Sequence, residues 1–190
     1  MWLDASDNDI PSPTAGTAAG STGPVCGVHC GTERWEVKTL SDPDTGRIHG
    51  DTVDASVEDL VALERPNQLS ASGRADPVEV TIYRVKARLV WFVGEKDGDY
   101  HLVLASLPDP AIQMIAEVPN PGCTGSCASG RSELYARVRQ TLMDHLDSPQ
   151  SEAAPVVRVT GVGFFDYLHG QRGVAPNGIE LHPVIKVEFP

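Results

Sequence analysis

No stretch of about 18 consecutive apolar residues occurs in the 190-residue chain, which excludes a membrane-spanning helix. Aromatic residues are scarce, at 6%, and so are cations: 15 Lys and Arg stand against 26 Asp and Glu, a formal net charge of −11. A chain so acidic has no broad basic face for gripping nucleic acid by its phosphates, so any such role needs a local site or a bound metal. Also missing are a Gly-x-Ser-x-Gly elbow, a Walker loop, a Gly-x-Gly-x-x-Gly strand-to-helix turn and a His-Glu-x-x-His helix. Several large enzyme classes lose their support with them. What remains is 41% hydrophobic, enough for one sizeable core, and the length suits one domain with a tail.

Residues 1–25 supply that tail. From Asp4 to Pro24 the chain is mostly Gly, Ala, Ser, Thr and Pro, with little to bury, and reads as a disordered tail or linker. The start, MWLDAS, has neither the basic region nor the apolar stretch of an export signal, so the expectation is that any such signal has been removed. Residues 26–190 form the expected single domain. Its four cysteines lie in two C-x-x-x-C pairs, Cys26 with Cys30 and Cys123 with Cys127, both in Gly-rich segments. An even count in that setting points to disulfides and an oxidising compartment, extracellular or periplasmic. Two local loops and two long-range bridges are both compatible with the spacing, and a zinc site of all four cysteines with His29 is the rival reading.

Residues 33–40 alternate Trp35 and Val37 with charged neighbours and predict a short edge strand. Residues 54–63, with an Asp or Ser start and Leu60, Val61 and Leu63 before Pro66, predict a capped amphipathic helix. Residues 77–93 are too β-branched for a helix and predict a long bent strand with a slip of phase at Val85. Lys96, Asp97, Gly98 and Asp99 offer hairpin chemistry, and strands follow over 100–105 and 113–118. Leu134, Val138, Leu142 and Leu146 recur at helical spacing in 132–146, and two last strands occupy 156–165 and 179–189. The order β-β-β-α-β-β is that of the five-stranded OB barrel, here with an N-terminal strand and helix added.

Two resemblances follow from particular motifs. Lys96-Asp97-Gly98-Asp99 is similar to the Asp-Gly-Asp turn of staphylococcal-type nucleases, which are built on this barrel; the likeness covers the turn and not that family's paired arginines. More extensively, ERWEVKT, DYHLVL, MIAE and GVGFFD-x-x-HGQ-x-GVAPNGIELHPV resemble segments of a group of exported bacterial proteins, over most of the chain after Cys30. That resemblance implies export and a shared fold.

Two clusters carry the candidate chemistry. Asp99 and His101 are two apart at the start of one strand and share a face, with Glu117 on the neighbouring strand. Glu117 lies in an apolar segment, so it either points outwards or is paired or bound to a cation. Residues 166–182 hold Asp166, His169, Gln171, Arg172, Asn177, Glu180 and His182, of which Glu180 and His182 again share a strand face. If they converge, Asp99, Asp166, Glu180 and His182 make a mixed N and O site for a divalent cation such as zinc, manganese or iron. The bland alternative is that Asp166 caps a turn, His182 is packed in a strand and Asn177-Gly178 is a hairpin. His29, His49 and His145 read as surface residues.

The cation would lower the pKa of a bound water and restore attraction for phosphate on an acidic protein. His101, Glu117 and His169 are then acid or base candidates, and Arg172 a stabiliser of developing charge. The function expected is thus a secreted metal-dependent phosphodiesterase, with DNA or RNA as nucleic acid substrate. The alternatives are an exported OB binding module for glycan, peptide or single-stranded nucleic acid, and a disulfide-stabilised envelope protein. Oligomeric state is not legible.

Overall fold

The computed structural model describes residues 25–31, 33–146 and 154–190. The tail expected over residues 1–25 lies outside them except for Val25. The elements are α1 (Trp35–Lys38), β1 (Thr52–Ala55), α2 (Val57–Val61), β2 (Ile82–Gly94), β3 (Tyr100–Ala105), β4 (Gln113–Val118), α3 (Thr124–Ala128), α4 (Ser132–His145), β5 (Val156–Phe165) and β6 (Ile179–Glu188).

Strands β2, β3, β4, β6 and β5 pair in that order, and β5 closes back on β2, so the five form a barrel with OB strand order. All pairings around it are antiparallel except β4 with β6, which run parallel through Ile115 opposite Glu180 and Ala116 opposite Leu181. Strand β2 is long enough to serve two neighbours on one edge. Its first half carries β1, parallel from Thr52 opposite Ile82, and its second half carries β3. A register shift between Leu89 and Trp91 bends it between the two, later than the slip expected at Val85.

Side-chain alternation sorts two layers. Leu102, Leu104, Met114, Ala116, Val118 and Leu181 enter the main core with Val85, Ala87, Val157 and Val159. Helix α4 adds Tyr135, Val138 and Leu142 from one face to that core. Burial of a leucine of this kind is worth about 1.5–3 kcal/mol. The intervening residues His101, Val103, Ile115, Glu117, Glu180 and His182 therefore face the other way, yet they too are buried.

What covers them is the N-terminal segment and residues 166–178. The edge strand expected at 33–40 is instead α1: Arg34 and Leu40 take positive φ, 51° and 57°, which no extended strand tolerates. Arg34 is held there by its guanidinium. Nη1 donates to Glu79 Oε1 and the Phe165 carbonyl, Nη2 to Glu79 Oε2 and the Gly73 carbonyl, and Nε to the Ser70 carbonyl. Residues 78–80, expected as the start of the long strand, form a 3-10 turn, and the buried Glu79 carboxylate also accepts from the Ala75 and Phe165 amides. Leu40 packs on Ile82 and Val162. Cys26 is bonded to Cys127 and Cys30 to Cys123, so the long-range pairing holds, and the zinc reading of the cysteines falls because their sulfurs are joined to one another. The helix expected at 54–63 is shorter, with Ser56 and Asp59 closing a capping box.

Candidate functional site

Asp99, His101, Glu117, Glu180 and His182 come together on the outward faces of β3, β4 and β6. Each strand contributes by its own period of two: His101 stands opposite Glu117 in the β3 to β4 register, and β6 places Glu180 and His182 beside β4. Asp99 ends the turn after β2, where Gly98 takes φ 90°. Its Oδ1 accepts from the Asn120 amide at 2.7 Å.

Glu117 is the hub. Its Oε1 lies 2.9 Å from His101 Nδ1, and its Oε2 lies 3.1 Å from His182 Nδ1. His182 Nε2 faces Asp99 Oδ2 at 3.7 Å, and its Nδ1 is 3.9 Å from Glu180 Oε2. His182 is 0% and Glu180 1% exposed. Neither nitrogen of His182 and neither carboxylate oxygen of Glu180 makes a hydrogen bond; the 3.1 Å approach of Glu117 is a charge contact without hydrogen-bond geometry. A buried carboxylate left in that condition costs several kcal/mol unless a cation compensates it.

Burial pushes the Asp99 carboxyl up to about 7, against the nearby His182, with Asp97 and Glu117 adding to the rise. Burial also raises Glu180, and Glu117 and Asp166 add to it. For His101, burial works against the charged ring, but hydrogen bonds to Glu117 and Glu95 outweigh it and lift the pKa to about 10. His182 is raised to about 9: burial opposes its charge, and the nearby carboxylates of Glu117 and Glu180 outweigh that. Glu117 is itself held well below the usual carboxylate range, its burial overcome by the two histidines.

A cavity of about 380 Å³ leads to this cluster and has Glu117 in its lining. Its walls carry Glu33, Glu95, Asp97 and Asp166 against Lys38 and Lys96, with His29, His169 and Gln171 alongside. Lys38 comes from the last turn of α1. Burial disfavours its charge, yet Asp166, Glu117 and Glu180 around it hold its pKa above the ordinary lysine value. Its Nζ is 2.8 Å from Asp166 Oδ2.

The expected residues thus divide. Asp99, His101, Glu117, Glu180 and His182 converge, including His101 from a separate segment. Asp166 does not join the other three carboxylates: it pairs with Lys38 and groups with Glu33 and His169 on the cavity wall, where His169 Nε2 and Glu33 Oε2 are 2.6 Å apart. Arg172 contributes its carbonyl, 3.0 Å from His101 Nε2, while its guanidinium lies over Trp91 at 5.1 Å. Lys38 and Lys96 are accordingly the cations lining the cavity, and sequence reasoning missed both in that role, as it missed Glu95. His29, His49 and His145 are exposed, as expected of surface residues.

The donor chemistry fits a divalent cation. Asp99, Glu117 and His182 each offer a ligand atom within 4.8 Å of the others, and Glu180 stands beside them with both oxygens unused. One imidazole with carboxylates suits zinc, manganese or iron. Compared with known proteins, the chain matches no family model, no curated protein and no solved structure.

Proposed function

We propose that the protein is a metal-dependent phosphodiesterase of an oxidising, extracytoplasmic compartment, with nucleic acid strands as its substrate class. The observation that carries this reading is the Glu180 carboxylate, wholly buried and without a hydrogen-bond partner beside Asp99, Glu117 and His182. Those four residues would hold the cation, which when bound supplies a water of lowered pKa and polarises a phosphoryl oxygen.

The chain's own residues would do the rest. Lys38, kept protonated among carboxylates, would attract and orient the phosphodiester anion from the cavity wall. The exposed pair of His169 and Glu33 sits where a leaving oxygen could take a proton, with Glu33 orienting the imidazole. Residues 166–178 lie over β3 at Gly173, where φ is 84° and an added Cβ would fall 2.5 Å from Val103 Cγ1. They limit entry to the cavity mouth. Two disulfides support the compartment.

The binding-module reading is less well served. OB modules that hold single strands use the face of their second and third strands as a stacking platform. Here the corresponding face, on β3 and β4, is buried under the N-terminal layer and residues 166–178.

The test is hydrolysis of bis(p-nitrophenyl) phosphate and of single- and double-stranded DNA and RNA, after chelator treatment and after return of manganese or zinc. Turnover that needs the metal and disappears in Glu180→Gln supports the proposal. Intact substrates in all cases, with retained binding of one nucleic acid, would support the module instead.

A further inference from the structure

The donors around Glu117 form two sets. Glu95, His101 and Glu117 bring one ligand atom each within 4.8 Å of one another, and Asp99, Glu117 and His182 do the same. Glu117 belongs to both, and its two oxygens are divided between them, Oε1 toward His101 and Oε2 toward His182. We propose that the centre binds two divalent cations, with Glu117 as the carboxylate that bridges them, an inference that deepens the metal-dependent reading and rests on it.

The second set turns on how the His101 ring is held. Its Nε2 lies 3.0 Å from the Arg172 carbonyl oxygen, which can only accept, so Nε2 carries a hydrogen. Nδ1 is then the nitrogen available to a metal once its own proton is displaced. It faces Glu117 Oε1 at 2.9 Å and Glu95 Oε1 at 3.3 Å, two acceptors. In the metal-free protein a proton on Nδ1 joins the ring to the two carboxylates, and a divalent cation among the same three atoms would take that proton's place. A backbone carbonyl on the far nitrogen is also the usual device for orienting a metal-binding histidine. With metal to donor bonds of about 2.0–2.1 Å, neighbouring donors around a tetrahedral or octahedral ion stand about 2.9–3.4 Å apart. Both measured separations lie in that interval. Coordination by Nδ1 therefore needs little movement of His101 relative to either carboxylate.

The two sets differ in access. Asp99, Glu180 and His182 are buried, whereas Glu95, in the turn between β2 and β3, is partly exposed and lines the cavity together with Glu117. The Glu95 set is the one substrate would meet. Two ions about 3.5–4 Å apart can clamp the attacking and the leaving oxygen of an in-line displacement at phosphorus. Lys38, on the same wall, would hold the remaining oxygens.

The experiment loads chelator-treated protein with Mn(II) and reads stoichiometry by calorimetry and spin coupling by EPR. The expected result is two equivalents per chain with the signal of a coupled pair. Glu95→Gln should then retain one equivalent, lose the coupled signal, keep the far-UV CD spectrum and lower hydrolysis of bis(p-nitrophenyl) phosphate at least 100-fold. One equivalent in the wild type, lost in Asp99→Asn and kept in Glu95→Gln, would overturn the bridged pair while leaving a single-ion centre standing. Two uncoupled equivalents would also overturn it, placing the second ion elsewhere, for instance at Glu33, Asp166 and His169. No binding at all would sink the pair and the metal-dependent reading together.

Discussion

Asp99→Asn isolates the electrostatic cost of the centre in metal-free protein. The substitution keeps an oxygen for the Asn120 amide and removes the charge facing His182. Burial raises Asp99 from 3.8 to about 7, a displacement of roughly 3 pH units, and each unit is worth 1.36 kcal/mol. Between about pH 4 and 7 the native state keeps a proton that the unfolded chain has released. Stability therefore falls as pH rises through that window, by up to about 4 kcal/mol, and levels off above it. Asparagine has no such slope. In chelator, urea unfolding should show the variant gaining on the wild type from pH 5 to 8, ending up to about 4 kcal/mol ahead, or roughly 10 °C in Tm. Mn(II) at 1,000 times its Kd should cancel that lead, since it adds about 4 kcal/mol to the protein that binds it. A stability difference independent of pH, or one that shrinks on going to pH 8, would refute the claim that burial of this carboxylate is uncompensated.

Lys38→Met should lower kcat/KM by about 100-fold or more with metal content unchanged, and Lys38→Arg should restore part of it; calorimetry with steady-state kinetics separates the two effects. Glu79→Ala should cost about 3–5 kcal/mol in urea unfolding, because it leaves the buried Arg34 guanidinium without its carboxylate. The disulfides are nested: the first closes a loop of about 100 residues, and the second then closes only a short ring. On chain entropy, removing either pair alone should cost about 3 kcal/mol, and removing both about 7, measured by chemical denaturation of Cys→Ser variants.

Much of the barrel was legible because its strands keep a period of two and its helix a period near 3.6. Residues 100–105, 113–118 and 156–165 coincide with β3, β4 and β5, and residues 132–146 with α4 to within one residue. The N-terminal layer was not legible. Trp35 and Val37 alternate over too few residues to distinguish a strand from a single helical turn, and the decisive agent, Arg34 bound to Glu79, is a contact between residues 45 apart in sequence. The site followed the same division. Pairs two apart on one strand, Asp99 with His101 and Glu180 with His182, declared their shared face, and Glu117 declared itself as a charge in an apolar run. Glu79, a charge among Val78, Val80 and Ile82, carries the same signal. Asp166 and Lys38 could not be placed, since nothing local records that α1 folds over the outward-facing residues of the barrel strands.

The most direct test is the anomalous difference density of crystals soaked in Mn(II). The account predicts a peak within bonding distance of Asp99, Glu117 and His182, bordered by the Glu180 carboxylate. Ordered crystals with no peak there, or with one only at Glu33, Asp166 and His169, would contradict it.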